Sequence, residues 1–497
     1  MSKKEKIQTL ISDFEHLAYT FLPPTGVEVI QGSSFPYHFI ANYGQANYRE
    51  SLTYTLSHYL TFDPTRTPSI QKIPYFPSFE SDIEAQGYSP SRNLRVVFRN
   101  YKEKKYLEIW TKNNVPKTIL VTDFHDAVYN SPVFGMDPIR WSQDEKRILY
   151  IAEKKEDKKV KYFDEFKEDK DAQKALQQFE YKEDFGEGIA GKKSPVVFIY
   201  DFEEDALFKV ANIPEDIVPL QISFADKEGK TLLFCGLKWD LFNRGLLYCF
   251  NRETAVYYLD KLILERVKED PNLKEEEKKA LKEKITQEAK ETKPTRITNE
   301  DISFMPLPNK DFSKFVYFFS PKQNSHSFVM GLKSISLNPA TFPKEINPKL
   351  VVDIVKEHGP TFSGLQGYHH DFGSYSWFSD NIHMAFHAYH GLSLGIYLLN
   401  TETSEILRID QPKYKSERWT ILKVYNDTIF ASISNLEGNT SFAIYHGIDL
   451  KAGKLEECTK SAKWHIFNLE TKQLPSPVKA LNPSLNNIGE IKEEILN

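Results

Sequence analysis

The pentapeptide Gly391-Leu392-Ser393-Leu394-Gly395 has the G-x-S-x-G spacing of a serine nucleophile elbow. That chemistry needs a strand, a sharp turn exposing the hydroxyl, and then a helix that helps to form an oxyanion hole. A strand-like NIHMAFHAYH precedes the motif, but the IYLLNTETSEILRID after it reads as strand, turn, strand. Ser393 is therefore expected at a hairpin turn. Five histidines lie nearby: His369, His370, His383, His387 and His390. On a helix the last three would share one side and suit zinc; on a strand, His383 and His387 face one way and His390 the other. With no HExxH arrangement they read as blade-surface or interblade side chains. The sequence has no P-loop, GxGxxG or CxxC motif and no second serine elbow, and adjacent acids such as Glu203-Glu204 read as loop solvation. The expectation is no catalytic, cofactor-binding or metal-binding residue, and no cofactor.

The elements around these residues are mostly strands. Beyond residue 35, short runs of Val, Ile, Phe, Tyr and Thr alternate with clusters of Asn, Asp, Gly, Pro and Ser. One phrase recurs: an aromatic, Ser and Asp, then Lys or Arg, then a hydrophobic strand. WSQDEKRILYIAEK from Trp141 shows it best, with related forms at YSPSRNLRVVFRN, ISFADKEGKTLLFCG, NKDFSKFVYFFS and WFSDNIHMAFHAYHG. The strand starts Leu94, Ile148, Thr231, Phe315 and Ile382 are about one propeller blade apart, or one blade plus an insertion, for a blade of about 40 to 50 residues. Ser and Asp should bond their own turn, Gly229 can take a positive φ, and the aromatic packs between blades. The chain reads as all-β, a β-propeller. A β-sandwich or several small β-domains is the competing reading.

Two excursions interrupt the rhythm. Residues 154–193 are dense in Lys, Asp and Glu, and residues 261–300 contain the charged helix LKEEEKKALKEKITQEAKE. Residues 1–24 read as an amphipathic helix through Ile7, Leu10, Ile11, Phe14 and Leu17, docked on the main body. The chain has 497 residues and a net charge of -5, with 64 basic and 69 acidic side chains, so nucleic acid and membrane are not expected partners. Three cysteines, Cys235, Cys249 and Cys458, form no disulfide framework and point to a cytoplasmic location.

YLEIWTKNN from Tyr106, ILYIAEKK from Ile148, YKEDFGEGIAGKKSPVVFIYDFEED from Tyr181 and LKWDLFNRGLLYCFNRETAVYYLD from Leu237 follow one another collinearly. This order resembles the N-terminal propeller of acylaminoacyl-peptidase, a family of the prolyl-oligopeptidase clan. The most specific positions are Glu183, Asp184, Gly186, Glu187, Arg244, Gly245, Cys249, Asn251 and Arg252. The resemblance implies a seven-bladed propeller over residues 25–480. It also implies a following serine-hydrolase domain that would begin near 481–497 and would remove N-acylated amino acids from blocked peptides. The propeller's implied role is to gate and filter substrates without catalysis, and this chain alone is expected to be inactive. A hydrolase domain or subunit, in cis or in trans, is the implied partner, with short blocked peptides as substrates of the complete enzyme and oligomers possible. The alternative is an inactive propeller adapter or scaffold within a larger assembly. Arg244 and Arg252 have two readings, contact with a substrate carboxylate or the hydrolase surface, and salt bridges within a blade.

Overall fold

The computed structural model describes residues 23–31, 35–47, 52–67, 69–72, 82–135, 137–155, 183–186, 188–238, 245–246, 252–268, 273–322, 329–357, 359–366, 376–413, 416–435, 440–467 and 493–496. The helix expected over residues 1–24 lies outside them up to residue 22, as do most of the 154–193 excursion and most of the C-terminal tail. The chain is all-β and divides into two compact units, Asp82–Ile354 with Gly367–His370, and Met1–Ser81 with Val355–Gln366 and Asp371–Asn497.

The first of these units holds four consecutive antiparallel meanders. The second meander of the chain comprises Ile83–Tyr88, Arg95–Tyr101, Lys104–Trp110 and Lys117–Leu120. The third comprises Ile139–Trp141, Arg147–Lys154, Pro195–Asp201 and Ala206–Val210. The fourth follows with Ile217–Phe224, Leu232–Lys238, Thr254–Leu259 and Thr295–Arg296. Ile302–Pro308, Lys314–Ser320, Val329–Ser336 and Lys349–Val352 make the fifth. The other unit contains the first meander, Pro24–Gln31, Tyr37–Asn47, Leu52–Phe62 and Ile70–Lys72. It also contains a sixth, in which Trp377 bridges to the hairpin His383–His390 and Ser393–Asn400, extended by Ile406–Arg408. The seventh is Arg418–Tyr425, Thr428–Ser434, Thr440–His446 and Lys463–Phe467, to which Glu493–Leu496 adds a strand.

The recurrent phrase folds as its residue types require. In the third meander Ser142 Oγ donates to Asp144 Oδ1 at 2.6 Å, Arg147 N donates to Ser142 Oγ at 2.9 Å, and Lys146 N donates to Asp144 Oδ1 at 3.1 Å. Asp380 repeats this by accepting Ile382 N and His383 N, each at 3.0 Å. Short polar side chains thus satisfy turn amides that no ladder can reach. All five copies carry one left-handed residue, with φ near +60°: Arg92, Glu145, Gly229, Phe312 and Asn381. Only Gly229 was expected to adopt it. The others accept the cost because a side chain just before each, Ser91, Asp144, Asp311 or Asp380, accepts the amide just after it and fixes the turn. The five strands begin within one residue of the positions expected from sequence.

Within each unit, hydrophobic faces of adjacent meanders close on each other. Between the second and third, Val96, Phe98 and Leu107 pack with Ile148, Tyr150 and Phe198. Trp141 stacks on Phe202 with centroids 5.2 Å apart. In the fourth and fifth meanders the opening strand bulges, at Leu220/Ser223 and at Phe304/Leu307, with Gln221 and Met305 at positive φ. The bulge frees Met305 N to donate to Gln221 Oε1 at 2.7 Å, a buried link between the two.

The expected charged helix spans Glu275–Glu291 and buries none of its residues. Its excursion leaves the fourth meander after Leu259 and lays Leu264–Arg266 along the Ala206–Val210 edge of the third. It then forms the helix and returns as Thr295–Arg296 to complete its own meander. Asn212 ties the crossing down, donating through Nδ2 to Lys261 O and Thr292 O at 2.9 Å each.

Candidate functional site

The two most specific family-like segments, far apart in sequence, meet in space. Asp184 accepts Gly186 N at 2.9 Å and Gly191 N at 2.7 Å, closing the loop on its own carboxylate. The Gly191 and Gly186 amides hold that carboxyl below the ordinary range. Gly186, Gly188 and Gly191 all have φ of +79°, which explains why glycine recurs at this spacing. Phe185 N donates to Lys192 O at 3.0 Å, and Leu246 N donates to Phe185 O at 3.2 Å, joining the second segment to the first. A Cβ on Gly186 would stand 3.3 Å from Gly245 Cα, so a side chain there would push the two backbones apart by a few tenths of an ångström. Arg252 Nη2 donates to Gly245 O at 2.8 Å. The guanidinium thus braces the junction through a backbone carbonyl. Arg244, Cys249 and Glu187 lie outside the described residues.

The junction is anchored to the third meander. Phe185, 1% exposed, lies 6.3 Å from Phe134, which packs on Tyr129 at 4.2 Å. Tyr129 OH donates to Glu153 Oε2 at 2.5 Å, and Lys193 N and Ser194 N also donate to the Glu153 carboxylate. Burial raises the Glu153 carboxyl, and burial beside Glu153 raises the Tyr129 phenol. Sequence could not assign this acid, because it reads as the polar end of the hydrophobic run from Ile148 to Ala152.

Ser393 opens the return strand of the sixth meander, directly after a Gly391-Leu392 turn, and pairs with His390 across the hairpin. Its hydroxyl donates to His390 O at 3.0 Å and receives Arg408 Nη2 at 3.4 Å. The strand after it is Ser393–Asn400, not a helix. The nearby histidines have separate partners. His383 is held by Asp380 and Asn400, His387 Nδ1 accepts Ile421 N at 3.2 Å, and His390 Nδ1 meets Ser363 Oγ at 2.7 Å. His369 and His370 fall outside the described residues. Among the described residues no group of three or more His, Cys, Asp or Glu is placed to hold a metal.

Sequence reasoning missed a polar seam between the first and seventh meanders. His446 Nε2 and His465 Nε2 lie 2.9 Å apart, and His465 Nδ1 meets Ser69 Oγ at 2.9 Å. Phe35 and Phe62 enclose the rings at 5.3 to 5.7 Å. An N–H···N bond needs one bare nitrogen, so at most one of the facing nitrogens carries a proton. Burial, then His465 and Lys463, push His446 down to about 4. Deeper in the seam Lys423 Nζ, 1% exposed, pairs with Glu28 Oε2 at 2.8 Å. Ser69 and Ser363 are each 2% exposed, so neither hydroxyl beside an imidazole is reachable by a peptide carbonyl.

The family model for the acylamino-acid-releasing enzyme, N-terminal domain, matches residues 39–477. The chain belongs to that family. It is similar to the acylamino-acid-releasing enzyme of Mus musculus, 32% identical over 194 residues, which is 35% of this chain and 26% of that protein. It is 24% identical over 448 residues to acylamino-acid-releasing enzyme 1 of Oryza sativa, covering 86% of this chain and 54% of that protein. The chain thus spans about half the rice protein and about a quarter of the mouse protein. Among solved structures, the Pyrococcus horikoshii acylaminoacyl peptidase aligns with 93% of this chain and 60% of its own, at 10% identity and a TM-score of 0.48.

Proposed function

We propose that the seven meanders are blades of one seven-bladed propeller, and that this propeller is the non-catalytic, substrate-filtering part of an acylamino-acid-releasing enzyme. Its task is to admit short N-acylated peptides to a serine-hydrolase domain in cis and to exclude folded proteins. The carrying observation is the junction of the 183–194 and 245–252 segments, where the positions most specific to the family are used for backbone contact. Such a junction keeps an edge rigid, and exclusion by size needs rigidity more than any charged ligand group. Ser393, bonded to a carbonyl in a hairpin, supports the non-catalytic part of the reading. The buried free thiols of Cys235 and Cys458 support a cytoplasmic site of action.

The test is a chimaera. This chain is joined to the hydrolase domain of the rice relative, and the hydrolase alone serves as control. The chimaera is expected to cleave N-acetyl-alanine p-nitroanilide and to reject a long blocked polypeptide that the free hydrolase cleaves. Equal cleavage of the long substrate by both overturns the filter. Turnover of the nitroanilide by the unjoined chain, abolished by Ser393→Ala, overturns the non-catalytic assignment.

A further inference from the structure

The excursion that carries the charged helix leaves a trough beside the Leu264–Arg266 strand. Two adjoining hollows of about 500 and 240 Å³ share Glu265, Arg266 and Lys282 in their walls. The larger has an apolar floor from Leu262, Leu264, Leu273, Leu281 and Ile285. Leu281 is 44% exposed there although leucine gains by burial. In the smaller, Lys154, Lys155, Lys209, Arg266 and Lys282 face one acid, Glu265, over a floor that includes Phe124 and Val267. Each hollow has five cations and two are common to both, so eight cations and three carboxylates line the trough. This excess stands on a chain whose net charge is -5.

Lys278 is already bonded to Glu275 at 2.6 Å, and Lys261 and Lys284 share Glu288 at 3.6 and 4.0 Å, but the pairs of three other cations are loose. Lys154 lies 3.6 Å from Glu215, Lys155 is 3.7 Å from Asp126, and Arg266 is 3.7 Å from Glu204. Those separations exceed hydrogen-bond length at solvent-exposed positions, where such pairs contribute little. Among the described residues no carboxylate lies within 4.0 Å of the Lys209 ammonium, although Glu265 is its cross-strand neighbour.

The trough also offers a backbone. Ala211 N donates to Ile263 O, and Val267 N donates to Leu207 O. Alternation along an antiparallel strand therefore turns the backbone groups of Leu264 and Arg266 outward. No second strand pairs with them among the described residues.

We propose that this trough binds an extended, acidic segment of a partner protein that alternates carboxylates with bulky apolar side chains. Its backbone pairs with Leu264 and Arg266, its apolar side chains cover Leu281 and Ile285, and its carboxylates meet Lys209, Arg266 and Lys282. The binding surface is independent of any hydrolase.

The probe is a fluorescein-labelled twelve-residue peptide alternating Glu with Leu, compared with its Gln counterpart, by fluorescence anisotropy on the full chain. Saturable micromolar binding is expected for the Glu peptide, weakening as salt rises, with about tenfold lower affinity for the Gln peptide. Lys282→Glu and Lys209→Glu, each checked for its circular dichroism spectrum, should each lower affinity severalfold. Leu281→Asp, which removes apolar cover and adds a repelling carboxylate, should lower affinity at least as much. The proposal is overturned if binding does not saturate, if the Gln peptide binds equally well, or if folded variants bind unchanged. It is also overturned if binding appears only after deletion of residues 156–182, which would make this chain's own segment the occupant. Self-association lost in Leu281→Asp would make it a second copy, with the same consequence.

Discussion

The seam between the first and seventh meanders and the junction of the 183–194 and 245–252 segments both hold distant parts of the chain together, by opposite means. The seam relies on side chains, with aromatic rings around two facing imidazoles and a lysine ammonium buried against a partly buried glutamate. The junction relies on backbone, with left-handed glycines that let two main chains touch and an aspartate that consumes the loop's own amides. A side-chain seam answers to pH and to charge removal. A backbone junction answers to added atoms. The largest expected effect therefore separates the two partners at the seam. Glu28→Ala leaves the Lys423 ammonium buried at 1% exposure without its carboxylate and should lower unfolding stability by about 2 kcal/mol. Lys423→Met removes the buried charge itself and should cost less than half as much. Chemical denaturation of both variants checks this, and equal losses would mean that the buried charge does not set the seam's stability.

Next comes the junction. Gly186→Ala puts a Cβ into a φ of +79° and 3.3 Å from Gly245 Cα, which should cost about 1 to 2 kcal/mol. It should also speed proteolysis within residues 183–194. Gly391→Ala is the control, since its φ is +62° but no atom lies within 4 Å of the added carbon. A similar loss in both would assign the whole effect to backbone strain and none to close approach.

The smallest effect is the pH response of the seam. Folding lowers His446 to about 4 from an ordinary value near 6.5, so the unfolded chain binds the proton more readily. The seam's contribution is complete above pH 6.5 and is lost as pH falls from there towards 4. His125, buried in the other unit and also pushed down to about 4 by burial, acts in the same direction. Melting temperature should therefore fall by a few degrees between pH 7 and pH 5. His446→Phe should flatten that slope while leaving the His125 contribution. An unchanged slope in the variant would remove the histidine pair from the account.

These two regions were legible to different degrees. The junction announced itself through glycine spacing and the Asp184 and Arg252 positions, because backbone demands restrict residue type strongly. What sequence left open was the role of Arg252, which braces the Gly245 carbonyl. The seam left no such mark. His446 and Ser69 stand at ordinary strand ends and His465 in mid-strand, and His446 and Ser69 are 377 residues apart, so only the pairing of meanders brings them together. Strand positions were readable because Asp144, Asp226 and Asp380 fix each turn. The left-handed Arg92, Glu145, Phe312 and Asn381 were not, since nothing in those residue types requires it. Ser393 is the converse case, a chemical spelling without its setting.

The strand Leu264–Arg266 carries a consequence for how the protein is made. As the chain leaves the ribosome, the third meander has all four of its own strands by Val210, yet the edge that Ala206–Val210 exposes stays bare until residue 266 has emerged. Nascent protein held or cut in that interval presents a hydrophobic ladder open to strangers. The shortest amino-terminal fragment able to stay in solution should therefore end beyond Arg266, well past the boundary that counting strands would suggest.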